Sequence, residues 1–396
     1  MTAMRFSSSF LKGHPMLSRS LLVWAVVALS PSVLWADSTP QVLAEGQGQN
    51  GPKQPQAFVS ADGTVDVVVA VGEEIRLSTS RDRGESFTRA SGAIRCPNMS
   101  AGMRRGPRVV RTKTAVVVTA IGGKQGKGRD GDLLAWHSTD DGATWSEAVM
   151  VNDAPDAASE GLHGITAGAN GDVWCVWLDL RNGKSEIDTA VSSDDGQTWK
   201  GNVRAYRSPD GSVCECCHPS IISGPKSGVT VMFRNSLSGQ RDMFLASSDD
   251  GKKFTTGRKL GKGSWKLDAC PMDGGMLASD GKDGLVTVWR RDNQVFATLG
   301  NGAAEKQLGP GQQPWAAWSA AGPIIVWTGG REGALSMQVG FTGKARQVAA
   351  TARDPVVASN PQSDFAVVCW ESKQGGSTTV LAQAIATPGG ASKKTK

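Results

Sequence analysis

The 396-residue chain has little of the side chains most used for acid–base and metal chemistry: four histidines and one tyrosine. It contains no HExxH pair and no paired CxxC…CxxC spacing, so the commonest zinc patterns are absent. The glycine-rich run Gly122-Gly123-Lys124-Gln125-Gly126-Lys127-Gly128 lacks the Gly-Lys-Ser/Thr ending of a phosphate loop and reads as a connection between strands. No serine-hydrolase or dinucleotide motif stands out. No segment carries the periodicity of a long amphipathic helix, which points away from helical folds. The body of the chain also lacks excess charge. The formal net charge of +6 comes from its ends: Arg5, Lys12 and Arg19 near the start, and Lys393, Lys394 and Lys396 in the tail. A neutral body argues against bulk nucleic-acid binding.

What the chain has instead is a repeat. Ser80-x-Asp82-x-Gly84-x-x-Phe87, Ser138-x-Asp140-x-Gly142-x-x-Trp145, Ser192-x-Asp194-x-Gly196-x-x-Trp199 and Ser247-x-Asp249-x-Gly251-x-x-Phe254 start 58, 54 and 55 residues apart. Such regular spacing is the signature of a repeat architecture. Each copy has the chemistry of a turn. Ser and Asp side chains bond nearby backbone N–H groups, Gly reaches a left-handed conformation, and the aromatic packs beneath the next strand. These four stretches resemble the Asp-box (BNR-repeat) propellers of the sialidase-like superfamily. The resemblance implies an all-β fold, a β-propeller.

Strongly apolar windows mark the units: Val65–Val71, Ala115–Ala120, Val173–Leu178, Val229–Phe233, Leu285–Trp289, Ile324–Trp327 and Phe365–Trp370. Their Val, Ile and Trp content suits buried second strands. Seven units favour seven blades; a six-bladed ring is the alternative. Residues 1–36, with three cations before an apolar run, read as an export signal. The chain is therefore expected in the periplasm or outside the cell, with a membrane association only if that signal is retained. Residues 37–53 read as a loose lead-in, 54–387 as the propeller and 388–396 as a basic tail.

In a propeller, the loops entering the first strands and those between second and third strands share one face. The first group reads Gln54-Pro55, Arg105-Gly106-Pro107-Arg108, His163-Gly164, Cys217-His218-Pro219, Cys270-Pro271, Gln313-Pro314 and Asp354-Pro355. The second adds Asp179, Arg181, Arg234, Asn235, Arg241, Asp242, Arg290 and Arg291. Convergent polar groups at a channel mouth are a usual ligand site, although a salt-bridge belt between blades would use the same residues. A sialidase-like site implies an arginine cluster for a carboxylate, a tyrosine nucleophile paired with Glu, and an Asp acid/base. Here the Phe/Tyr-Arg-Ile-Pro motif is missing, Arg105 to Arg108 being the nearest match, and the only tyrosine is Tyr206. The candidates are then Arg105, Arg108, Arg234 and Arg241 for an acidic group, and Asp179, Asp268 or Asp273 as acid/base.

Cys175 and Cys369 sit in apolar strands and read as core thiols. Cys96, Cys214, Cys216, Cys217 and Cys270 precede or enter first strands. In an exported chain disulfides are the first expectation for these five. The sharper alternative is metal: Cys214-Glu215-Cys216-Cys217-His218 with Cys270 or Met272 offers donors for copper(I) or zinc. Two functions follow. One is recognition of a glycan or other small anionic ligand at the channel mouth, with glycoside hydrolysis as its enzymatic form. The other is non-enzymatic binding of a metal or a protein partner through the cysteine loop.

Overall fold

The computed structural model describes residues 37–224, 228–302 and 304–387. The expected export signal and basic tail lie outside them. Seven four-stranded antiparallel sheets follow one another as blades. Blade 1 runs through Pro52–Val59, Val65–Val71, Glu74–Ser80 and Thr88–Arg95. Blades 2 to 6 repeat the order with inner strands Arg108–Arg111, His163–Ala167, Ser220–Ser223, Met276–Ser279 and Gln312–Ser319. Each inner strand lies against the next, and the ring closes between blades 7 and 1. The six-bladed alternative is thereby removed.

All seven apolar windows are second strands. Val67 and Val68, neighbours in one of them, are both fully buried although their side chains leave opposite faces of the sheet. One packs against blade 7, the other against blade 2. Full burial of such a side chain contributes about 1.5–3 kcal/mol, so stacked blades stabilise each other through both faces.

The lead-in expectation needs correcting. Gln41–Gln47 is a strand that pairs antiparallel with Ser377–Ala386, from Gln41 opposite Ala382 to Gln47 opposite Ser377. It is the outer strand of blade 7. The ring is thus closed by chain from both ends, which no local composition of residues 37–53 reveals.

Three of the four turns close as their chemistry predicts. Ser192 Oγ donates to Asp194 Oδ1 at 2.7 Å and accepts from Gly196 N at 2.9 Å; Thr198 N donates to Asp194 Oδ1 at 2.9 Å and Thr198 Oγ1 to Oδ2 at 2.6 Å. The Ser80 and Ser138 turns carry the same set. The fourth differs by one residue: Ser248 Oγ donates to Asp250 Oδ1, and Ser247 Oγ pairs with Thr230 Oγ1 instead. The first three turns have Ser86, Thr144 or Thr198 two residues after the glycine, whereas this one has Lys253. Without that hydroxyl, nothing holds Asp249 in register. The glycines also set blade spacing. Gly142 has φ of +83°, and a Cβ there would stand 2.8 Å from Leu77 Cδ2 of blade 1; at Gly196, φ +80°, it would stand 2.8 Å from Val117 Cγ1 of blade 2.

Candidate functional site

The face opposite these turns is built from the residues that lead into the seven first strands. Blades 6, 7 and 1 begin alike. Gln313-Pro314, Asp354-Pro355 and Gln54-Pro55 interrupt the strand register, and the residue before each proline is left-handed, with φ of +54°, +44° and +55°. Non-glycine residues rarely adopt this conformation, and strain of this kind collects where function needs a fixed geometry. The three side chains form one network. Gln313 N donates to Asp273 Oδ2 at 2.7 Å and Gln313 Nε2 to Asp354 Oδ1 at 2.9 Å. Gln54 Nε2 donates to Asp354 Oδ2 at 2.7 Å, and Gln54 N to Glu371 Oε1 at 2.8 Å. Three buried carboxylates, Asp273, Asp354 and Glu371, are therefore linked around the mouth. Burial first and Asp354 second raise Glu371 to about 7. Burial also raises Asp273, against the pull of Arg104.

Arg104, which the sequence pattern did not single out, crosses this mouth. It lies in the connection from blade 1 to blade 2, yet its Nη1 donates to Pro355 O at 2.9 Å and its Nη2 to Gln313 O at 2.7 Å, on blades 7 and 6. Its guanidinium lies over Trp315, 4.9 Å from the ring centroid, and its Nε is 3.8 Å from Asp354 Oδ1. The neighbouring expected ligands are placed differently. Arg105 turns to Glu160, donating to its carbonyl at 2.7 Å. Arg108 is buried and donates only to carbonyls of Gly106, Pro107 and Arg104. Desolvation, then Arg104, pushes it down to about 9.

His163 and His218 line a channel cavity of about 200 Å³, together with Arg108, Trp315 and the inner strands of all seven blades. Burial, then nearby arginines, holds both rings well below the usual imidazole range, so both are neutral. His218 Nδ1 accepts from Gly274 N at 3.3 Å, which places the proton on Nε2. The ring stacks on Trp315. His163 Nε2 pairs with Thr119 Oγ1 at 3.0 Å. Four buried polar atoms of this face make no hydrogen bond: Arg104 Nε, His163 Nδ1, His218 Nε2 and Asp273 Oδ1. They come from the leading edges of four consecutive blades, 2 to 5.

Most other expected site residues are structural. Asp179 accepts from Trp177 Nε1 at 2.8 Å and from Arg181 N, Nε and Nη2, leaving it no catalytic lone pair in the mouth. Arg181 also binds Asp153 and Asn202, so the pair belongs to a salt-bridge belt on blade 3. Arg234 is buried and donates to the carbonyls of Asp273, Arg241 and Arg290, stapling loops of blades 4 and 5. Asp242 takes Trp265 N and Lys259. Arg290 binds Asp292 O and Asn293 and lies over Trp265. Tyr206 corrects the nucleophile expectation. Its hydroxyl accepts from Asn235 Nδ2 at 2.9 Å and its ring packs on Phe233, with no carboxylate bonded to it. Asp268 is exposed on its loop. Of the expected acid/base residues only Asp273 reaches the mouth.

The cysteines also divide otherwise than expected. All seven are unbridged. Cys96 is buried between blades 1 and 2, and burial pushes its thiol up to about 12, so it belongs to the core. A turn closed by Cys217 N donating to Cys214 O brings Cys214, Cys216 and Cys217 together. Their Sγ atoms lie within 4.8 Å of one another, with Cys214 at 3.0 Å from Cys217 and 3.7 Å from Cys216. The neighbouring thiols, then Arg234 and Arg241, lower Cys214. Met272 packs against the cluster, and Cys270 is exposed and lies outside the three-sulfur group. His218 does not join it. Its ring turns instead to Gly274 N and Trp315, on the channel side.

No known family profile matches the chain, and no curated protein matches it. Solved structures do. An α-L-arabinanase from Penicillium chrysogenum, complexed with arabinobiose, superposes with a TM-score of 0.52 at 13% identity, covering 88% of this chain and 98% of its own. A virginiamycin B lyase from Staphylococcus aureus superposes at 0.50 and 13%, covering 87% and 98%. A Hadza microbial sialidase aligns at 0.49 and 13%, covering 81% and 76%. A hydrolase and a lyase share this architecture, so at such identities the likeness establishes the β-propeller fold and leaves the activity to the site.

Proposed function

We propose that this chain is an exported β-propeller that recognises a small polyhydroxylated ligand, of the glycan class, at the channel mouth. The observation that carries this reading is the set of four buried atoms that make no hydrogen bond, Arg104 Nε, His163 Nδ1, His218 Nε2 and Asp273 Oδ1. Buried polar atoms are normally satisfied. Arg104 Nε and His218 Nε2 donate, and Asp273 Oδ1 accepts. A hydroxyl does both, so a sugar matches the set better than a pure anion. Three of the four arginines expected to hold an acidic group, Arg105, Arg108 and Arg234, are already engaged with backbone carbonyls, which also favours a neutral glycan over an acidic one. Hydrolysis is the enzymatic form of this proposal, with Glu371, raised to about 7, as general acid.

The test is calorimetric titration of the mature protein with arabino-oligosaccharides, neutral hexose oligosaccharides and sialosides, with products followed by mass spectrometry. Wild-type protein is expected to bind a neutral glycan, and Asp273→Asn and His218→Ala to bind it at least tenfold more weakly. Absence of saccharide binding across the panel would sink the proposal. Preference for sialosides would restore the arginine-based reading.

A further inference from the structure

We propose that Cys214, Cys216 and Cys217 form a binding centre for a soft monovalent metal ion, copper(I), separate from the channel mouth. Three observations converge on it. The first is geometry. The three sulfur atoms lie within 4.8 Å of one another, so one ion can contact all three once Cys214 and Cys217 open from 3.0 Å. The second is the donor set. The cluster is buried, its nearest hydrophobic neighbour is the thioether of Met272, and His218 is turned away to Gly274 and Trp315. Thiolates suit both copper(I) and zinc, but structural zinc takes four ligands, so a set of three sulfurs favours copper(I).

The third is charge. One copper(I) on three thiolates carries two negative charges, each thiol releasing its proton on ligation. Two guanidiniums, Arg234 and Arg241, are close enough to act on Cys214, and Arg241 Nε is a buried atom without a partner. Arg234 is itself fixed by three backbone carbonyls, so it cannot swing away. A buried anionic cluster without such cations would be costly.

The experiment is anaerobic titration of fully reduced mature protein with copper(I), in the presence of a competing chromophoric chelator. Ultraviolet sulfur-to-copper charge transfer and the protection of thiols from alkylation are read together. One copper(I) per chain is expected, with three thiols protected. Cys214→Ser and Cys217→Ser should each weaken binding at least tenfold, and Cys175→Ser should leave it unchanged. Cys270→Ser, outside the three-sulfur group, should keep the stoichiometry. Failure of reduced wild-type protein to take up copper(I) overturns the proposal. So does equal uptake by the Cys214→Ser/Cys217→Ser double variant, or tighter one-to-one binding of zinc than of copper(I). A Cys214–Cys217 disulfide that resists reduction in the folded protein, leaving it copper-free, overturns it as well. The serine variants are checked for folding by circular dichroism. Thiol protection in the wild type gives a readout independent of them. The result is also independent of the glycan reading, since no saccharide takes part.

Discussion

The two faces of the ring follow opposite rules. On one, three turns repeat the same bonds, with Ser, Asp, Gly and Ser/Thr in fixed roles. On the other, Gln54, Gln313 and Asp354 share one backbone geometry and one network, whereas Arg104, His163, His218 and Asp273 each make different contacts. The first face sets how blades stack. The second uses that regular spacing to bring unlike groups together. Repetition marks what holds the ring, and departure from repetition marks where chemistry is placed.

The largest expected effect separates the faces through glycine. Gly142→Ala, at a turn where a Cβ meets Leu77 and Ala90, should destabilise by roughly 2–5 kcal/mol, combining left-handed strain and overpacking. Gly183→Ala, in a mouth-side loop at φ +68° with open space around it, should cost only ~1–2 kcal/mol. Chemical denaturation measures both, and equal costs would dissolve the distinction between stacking and loop positions.

The next prediction concerns pH. Glu371 is raised in the folded chain to about 7 from 4.5. Between those values the unfolded chain is ionised while the folded one holds its proton, so stability falls as pH rises from about 4.5 and levels off above about 7. Glu371→Gln keeps an oxygen for Gln54 N and should remove this dependence, gaining ~3 kcal/mol at pH 8 and little at pH 4. Thermal unfolding at the two values decides it; a gain of equal size at both would mean packing rather than ionisation.

The smallest effect sharpens the repeat itself. Asp194→Ala loses bonds from Ser192 and Thr198 and should cost about 1–2 kcal/mol. Asp249→Ala, at the shifted fourth turn, should stay within ~0.5 kcal/mol. Equal losses would return Asp249 to the role its sequence position suggests.

Much of this architecture is legible in the chain because its causes are local. The second strands are written as apolar windows, and the turns as Ser-x-Asp-x-Gly. The one-residue slip at the fourth turn has a legible cause as well, the lysine at 253. The closing strand Gln41–Gln47 is not legible, because its partner lies more than 300 residues away. Among site residues, the register of first-strand loops located His163, His218, Gln313 and Asp354, and Asp273 stood out as a flanking acid. Glu371 escaped notice because it follows an apolar strand. Arg104 did too, because its role depends on crossing the channel to blades 6 and 7.

The sequence by itself determined that the chain is a repeat of antiparallel units, since strand periodicity and turn chemistry act over a few residues; ring closure decided that the blades number seven. It also determined which residue types stand at the mouth. Only the tertiary structure decided which of them remain available. Asp179, Arg181 and Arg234 are consumed by partners that folding brings to them. Arg104, His163, His218 and Asp273 retain unpartnered atoms. Hydrogen-bond satisfaction is a property of what surrounds a group in three dimensions, and closure of the ring supplies those surroundings.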